Sequence, residues 1–364
     1  MRYMFKLIGG MVMRAALWYN RKEIRVENIP EPSVEKDQVK IKVSYCGICG
    51  SDLHEYLAGP IFIPVEEPHP LSEDQAPIVM GHEYAGEVVA VGNEVRSVKI
   101  GDRVCVEPIY NCGTCISCQK GHYNVCEQLG FVGLSGGIGG FSEYSVVPEK
   151  MVHQIPDHMS WEQAALVEPT AVAVHAVRQS EMRIGDSVAV IGTGPIGLLV
   201  IQAAKAAGSS QIIAVEVSPE RREIALQAGA HMVIDPIEVD AVQEIKRFTN
   251  GLGVDVAFEV AGIDATINTA IQATKAEGNV VNISIWEKEA TIPVNNFILT
   301  ERKMTSIIAY RNIFPQVIQL IANGQIQAER LITKKISLNE IVDEGFEALT
   351  SSKNQIKILV DPFK

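Results

Sequence analysis

Apolar and polar side chains alternate in short runs over residues 39–43, 84–91 and 103–106, with Gly92 and Gly101-Asp102 separating the last two. A period of two closed by glycine turns predicts strands with one buried face. From Met13 to about Leu166 this texture predicts a mostly antiparallel β domain. Near Trp161 the period changes. A helical pattern over 164–177 leads into a strand at Ser187–Ile191, a helix over 196–207, a strand over 211–216 and a helix at Pro219–Ala228. Further strand patterns follow at 233–235, 254–259 and 279–285, again with helical stretches between them. Strands alternating with helices predict a parallel, doubly wound α/β sheet. Beyond Ile308 a helix and a last strand over 355–360 are expected to rejoin the first domain. The expected division is 13–167, 168–308 and 309–364, the third part returning to the first, with 1–12 as an N-terminal extension.

Composition narrows the function classes. The chain has 364 residues, 47% of them hydrophobic and 21% charged, enough for two separate cores. A formal net charge of −12, from 32 basic and 44 acidic residues, argues against nucleic acid or an anionic membrane as partner. No apolar run approaches the roughly 20 residues of a membrane span, and a cytoplasmic location is expected. Four of the seven cysteines lie within 112–126, which favours metal over a disulfide framework. Cys46 and Cys105 lack a close partner and read as plain thiols.

Cys112, Cys115, Cys118 and Cys126 follow a C-x2-C-x2-C-x7-C spacing. Four thiolates fill a tetrahedral ion and leave no open position, so the expected ion is a structural zinc. A ferredoxin run closes after three residues with Cys-Pro, whereas here the last gap is seven residues and Glu127 follows. A second set is less regular. Cys49, in a polar and turn-rich stretch, is followed 33 residues later by His82 in Gly81-His82-Glu83. A catalytic zinc needs three protein ligands and one open position; the third ligand is Glu83 or Glu168, the latter at the domain junction.

Strand 187–191 runs into Gly192-Thr193-Gly194-Pro195-Ile196-Gly197 and then a helix, and the next strand ends at Glu216. Together these form a dinucleotide fingerprint: a tight turn, close backbone approach to a pyrophosphate and free N–H groups at a helix start. A carboxylate at 216 suits the ribose hydroxyls of NAD and repels a 2′-phosphate.

These motifs, with Cys49-Gly-Ser-Asp, Glu168-Pro and the stretch Leu53-His-Glu-Tyr-Leu-Ala-Gly-Pro-Ile-Phe-Ile-Pro64, resemble the zinc-containing medium-chain dehydrogenases. The resemblance runs from Met13 to the C-terminus and is strongest to the branch of (R,R)-butanediol dehydrogenases, near sorbitol and threonine dehydrogenases. It implies a GroES-like catalytic domain beside a Rossmann domain and two Zn2+ per chain, one catalytic and one structural. It also implies NAD contacts from Ile196, Glu216 and Arg221, a small diol or ketone substrate, and a homo-oligomer, dimer or tetramer. Cys49, His82 and Glu83 or Glu168 would hold the catalytic ion. Ser51 would receive the substrate proton and His54 would pass it to solvent. Glu55 stands where sorbitol dehydrogenases carry a substrate-side tyrosine, which shifts the expectation from polyols to 2,3-butanediol and acetoin. A polyol or threonine dehydrogenase on the same scaffold, and an inactive relative acting as a binding protein, are the alternatives.

Overall fold

The computed structural model describes residues 11–352 and 354–364, so residues 1–10 of the expected extension lie outside the described residues. Two compact units divide the chain, one formed by residues up to Glu168 and from Ile332 on, the other by Pro169–Leu331.

The first unit is built from strands whose alternation buries one face. β1 (Val12–Asn20) and β2 (Glu23–Pro30) form an antiparallel hairpin. β3 (Gln38–Gly47) buries Val39, Ile41 and Val43 and turns the side chains between them outward. Helix α1 (Gly50–Ala58) follows, then β4 (Ile78–Val79) on β1, β5 (Glu83–Val91) and β6 (Arg103–Val106). A small ribbon of β7 (Ile109–Tyr110) and β8 (Gly130–Phe131) brackets the four cysteines. β9 (Tyr144–Pro148) and β10 (Val152–Gln154) complete the N-terminal portion.

The second unit is a six-stranded parallel sheet. Its strands are β11 (Ser187–Ile191), β12 (Gln211–Val215), β13 (Met232–Ile234), β14 (Val254–Glu259), β15 (Thr274–Asn282) and β16 (Lys303–Ser306). They lie in the order β13-β12-β11-β14-β15-β16. The chain reverses its direction across the sheet between β11 and β14, and ligands of such sheets bind at the C-terminal ends beside that reversal. Ile191, Ile213, Val215, Ile267 and Ile271 form part of its buried core.

β17 (Ile332–Ser337) and β18 (Lys357–Asp361) return to the first unit, where the large sheet runs β10-β6-β5-β3-β18-β17 and β9 also pairs with β3. The return comes at Ile332, not near 309 as expected. Helix Phe314–Ala322 buries Phe314, Val317, Ile318 and Ile321, and the Gln327 N–H donates to Gln202 Oε1 at 2.7 Å, so this stretch belongs to the parallel-sheet unit. Two element boundaries also differ. The expected helix 164–177 is two helices, Trp161–Ala165 and Val167–Gln179, with Pro169 in the first turn of the second, where its missing N–H costs nothing. The stretch after Cys49, read as turns, is α1.

Candidate metal centres and dinucleotide site

Strand register assembles the first pocket. β3 pairs antiparallel with β5, with Gly47 opposite Glu83, and with β18, with Gly47 opposite Leu359. Cys49, two residues past Gly47, therefore meets His82 and Glu83 from one neighbour and Lys357 from the other. One ligand atom from each of Cys49, His82 and Glu83 lies within 4.8 Å of the others. Glu168 is buried in the first turn of its helix but is outside that group.

Asp52, fully buried on α1, organises the pocket. Its Oδ2 accepts the Cys49 N–H at 2.9 Å, and its Oδ1 lies 3.4 Å from His82 Nδ1. Neither Oδ1 nor Nδ1 has a hydrogen-bond partner otherwise. The other ring nitrogen, Nε2, lies 3.2 Å from Ser51 Oγ. Burial, the largest influence, disfavours the imidazolium, yet Asp52 and Cys49 together hold the His82 pKa well above its ordinary value. A soft thiolate, an imidazole and carboxylates gathered in one electronegative pocket suit a zinc ion. His54 lies one turn beyond Ser51 on the same face of α1, half-buried.

Lys357 has no counterpart among the sequence-based candidates. It is 2% exposed, and its Nζ donates to Glu83 at 2.9 and 2.7 Å and to the Ile48 carbonyl at 3.0 Å. Burial opposes its charge, but Glu83, Cys49 and Glu168 raise its pKa above the ordinary lysine value. Only register could have revealed it, since 274 residues separate the pair. Asp52 did have a local signal, an acid three residues after a helix-capping position.

The four-cysteine loop has different company. Sγ atoms of Cys112 and Cys118, and of Cys115 and Cys126, are 4.0 Å apart. That is far beyond a disulfide bond of about 2.05 Å and near the edge of a tetrahedron with zinc–sulfur bonds of about 2.3 Å. Backbone N–H groups of Cys112, Thr114, Cys115, Cys118 and Gln128 point at these sulfurs over 3.2–3.5 Å. Hydrogen bonds led by Thr114 pull the Cys112 thiol down to about 6, while burial and the neighbouring sulfurs push Cys118 up to about 12, so without a cation the four thiols do not ionise together. The loop fits a closed zinc site. Cys46 and Cys105 are buried free thiols.

In the parallel-sheet unit Gly192 adopts φ +96°, a left-handed turn, and a side chain at Gly197 would sit 2.1 Å from the Gly192 carbonyl oxygen. Gly194 caps helix Pro195–Ala206 and has open space where a side chain would be, so the backbone there can be approached closely. Ile196 is half-buried in the first turn. Glu216 directly follows β12 in a buried position. Its Oε2 accepts from Thr193 N and Oγ1 at 2.8 and 2.9 Å, and its Oε1 from Ser218 N at 2.9 Å. The acid thus braces the glycine turn. Arg221 Nε is buried without a partner, whereas Arg222 pairs with Asp235. These features fit a dinucleotide across the C-terminal ends of β11 and β12.

Comparison with known proteins agrees with this geometry. Residues 35–157 match the model of the alcohol dehydrogenase GroES-like domain, and residues 195–323 that of the zinc-binding dehydrogenases. An (R,R)-butanediol dehydrogenase of Bacillus subtilis is 54% identical over 351 residues, covering 96% of this chain and 100% of the relative. The crystal structure of 2R,3R-butanediol dehydrogenase from Bacillus subtilis matches with TM-score 0.91 and 54% identity, over 96% of this chain and 99% of that one. A protein of Sinorhizobium meliloti described as a zinc-binding dehydrogenase, bound to NADP, matches with TM-score 0.89 and 31% identity, over 97% and 100%. Among the described residues no helix is long and apolar enough to cross a membrane. The chain belongs to the zinc-binding dehydrogenases, enzymes of the alcohol dehydrogenase type that work with zinc and a nicotinamide dinucleotide.

Proposed function

We propose that this enzyme interconverts (2R,3R)-2,3-butanediol and acetoin, and reduces diacetyl in the same direction as acetoin, with NAD as the hydride carrier. The observation that carries the substrate is the 54% identity to an (R,R)-butanediol dehydrogenase over essentially both full lengths. NAD rather than NADP is supported by the buried carboxylate of Glu216 and by Arg222, which is already paired with Asp235 and so not free for a 2′-phosphate. Two zinc ions per chain are supported by the two donor sets, Cys49–His82–Glu83 and Cys112–Cys115–Cys118–Cys126.

When bound, the catalytic zinc polarises the substrate oxygen and makes its hydroxyl more acidic. Cys49, His82 and Glu83 would hold it, and Glu168, outside the 4.8 Å group, is left as a nearby acid. Asp52 holds the Cys49 N–H and faces His82 Nδ1, which keeps Nε2 directed into the pocket. Ser51, 3.2 Å from that nitrogen, is the first acceptor for the substrate proton, and His54, one turn on, passes it outward. In the second unit Gly192, Gly194 and Gly197 let the backbone approach the pyrophosphate, and Glu216 and Arg221 flank the adenosine end.

Initial rates with NAD on (2R,3R)-, meso- and (2S,3S)-butanediol, with sorbitol and threonine as controls, test the proposal. Fast turnover confined to diols with an R carbinol is expected. Sorbitol or threonine as the best substrate would overturn the substrate assignment. NADH from none of them would indicate an inactive relative.

A further inference from the structure

Glu55 lies in the last turns of α1, fully buried, and has no cation partner in any ion pair of the described residues. Its carboxylate instead gathers backbone donors from the segment just beyond the helix. Oε2 accepts from Ile61 N at 3.0 Å, and Oε1 accepts from Ile61 N and Ile63 N, both at 3.2 Å, and from Phe62 N. Three successive amides converging on one buried acid fix the path of residues 60–64. Burial, the largest influence, leaves the pKa of this carboxyl raised, and the three amides offset that only in part.

The loop so held is tied to the metal pocket by packing on the page. Phe62 meets Phe131 edge-on, with ring centroids 6.0 Å apart. The strand containing Phe131 leads to Gly133, where a side chain would lie 2.3 Å from the carbonyl oxygen of Gly81, the residue before His82. Further along the same insert, His69 bonds the Leu129 carbonyl at 3.3 Å, Ser72 donates to the Ser135 carbonyl at 2.6 Å, and Asp74 accepts the Gly137 N–H at 2.7 Å. Residues 60–76 and 129–137 therefore form one layer standing against the His82 segment. α1 is clamped at both ends, at Cys49 by the metal pocket and at Glu55 by this layer. What the loop presents outward is apolar: Ile61 and Val65 are exposed, and Phe62 is half-buried.

We infer that Glu55 is a positioning residue for substrate selection: by folding its carboxylate into the loop amides, it holds residues 60–64 as an apolar wall beside the metal pocket, which favours alcohols ending in methyl groups over hydroxylated ones of the same length. The inference rests on the butanediol reading above. A glutamate pointing at the substrate would hydrogen-bond extra hydroxyls. Turned into the loop, it offers none, and each hydroxyl placed against Ile61 and Phe62 would lose its water without a partner.

(2R,3R)-Threitol is the probe, a four-carbon alcohol of the same configuration in which both methyl groups of (2R,3R)-butanediol are replaced by CH2OH. Glu55→Gln puts an N–H2 group among three N–H donors and should loosen the loop; Ile61→Ser changes the wall itself at an exposed position, without risk to the core. Both variants are expected to lower the ratio of kcat/KM for (2R,3R)-butanediol over (2R,3R)-threitol by about tenfold, through KM for the diol, with kcat changed less than threefold. Glu55→Gln should also be cut faster after the exposed Glu66 by a glutamate-specific protease. A purely structural role for Glu55 lowers both substrates alike, and an unchanged ratio in the two variants overturns the inference. A wild-type enzyme that turns over neither compound overturns the butanediol reading instead. In that case unchanged proteolysis at Glu66 in Glu55→Gln is the result that removes the wall as well.

Discussion

At the four-cysteine loop every donor is a sulfur, every sulfur comes from residues 112–126, and the surrounding hydrogen bonds are backbone N–H groups of the same loop. At Cys49 the donors are mixed and come from the ends of two different strands, and the residues behind them are buried charges, Asp52 on α1 and Lys357 on the last strand. The first plan is local and needs only its own turns. The second depends on the register of β3 with β5 and β18. A local, all-thiolate site can add stability wherever it is placed. A site that must do chemistry needs an open position, directed nitrogens and a tuned charge, and only a folded sheet can collect those parts from residues 49, 82, 83 and 357.

The largest expected break in the comparison is Cys49→Ala. Turnover should fall by roughly 10⁴-fold, because the barrier loses the several kcal/mol a Lewis acid supplies, while NADH still binds and the melting temperature moves little. Residual activity above about one-hundredth of wild type, measured as initial rates on a metal-counted sample, would remove this pocket from the reaction.

Lys357→Met should act next. Removing one partner of a buried ion pair leaves Glu83 uncompensated, at a cost of about 3–5 kcal/mol. Urea unfolding of the chelator-treated protein should show that loss, and added zinc should recover part of it, because a cation beside Glu83 replaces the ammonium. An equal loss with and without zinc would mean that Glu83 does not face the metal. Cys115→Ser should then show the opposite profile. The melting temperature is expected to drop by about 5 °C or more, bound zinc to fall by one per chain, and the specific activity of the surviving folded enzyme to stay within about twofold of wild type.

The contrast also explains what could be read before folding. The cysteine spacing and the strand–glycine–helix run from Ser187 to Glu216 are local patterns, and their geometry follows from a few consecutive residues. The alternation in β3 and β5 is equally local and gives the β unit. Lys357 was invisible because its partner is 274 positions away and a lysine near a C-terminus ordinarily reads as surface. α1 was masked by glycines at 47, 50 and 59 around a short polar stretch, which carry turn propensity, while the helix is held at both ends by its own Asp52 and Glu55, which accept from Cys49 and from the loop beyond. Residues 309–331 were assigned to the wrong unit because an amphipathic helix announces that it packs, not against what.

Asp52→Asn is the smallest change with a sharp expectation. In the wild-type pocket a carboxylate faces His82 Nδ1 at 3.4 Å, which favours the proton on that nitrogen and leaves Nε2 with its lone pair for a metal. An asparagine that keeps its oxygen on the Cys49 N–H must turn its N–H2 toward Nδ1. That favours the other tautomer, with Nε2 protonated and unable to ligate. The shape and volume of the side chain hardly change, so the fold has little reason to respond. Zinc affinity at the Cys49 pocket should weaken by about 10–100-fold, the range typical for losing an outer partner of a metal-bound histidine. None of the four donors in the cysteine loop is a histidine, so that site has no tautomer to lose and its zinc should remain. Titration with a chromophoric chelator should therefore show wild type and variant differing in only one of two phases. If both phases shift together, Asp52 acts through the fold as a whole, and the division between a local thiolate site and a register-built histidine site is not a functional one.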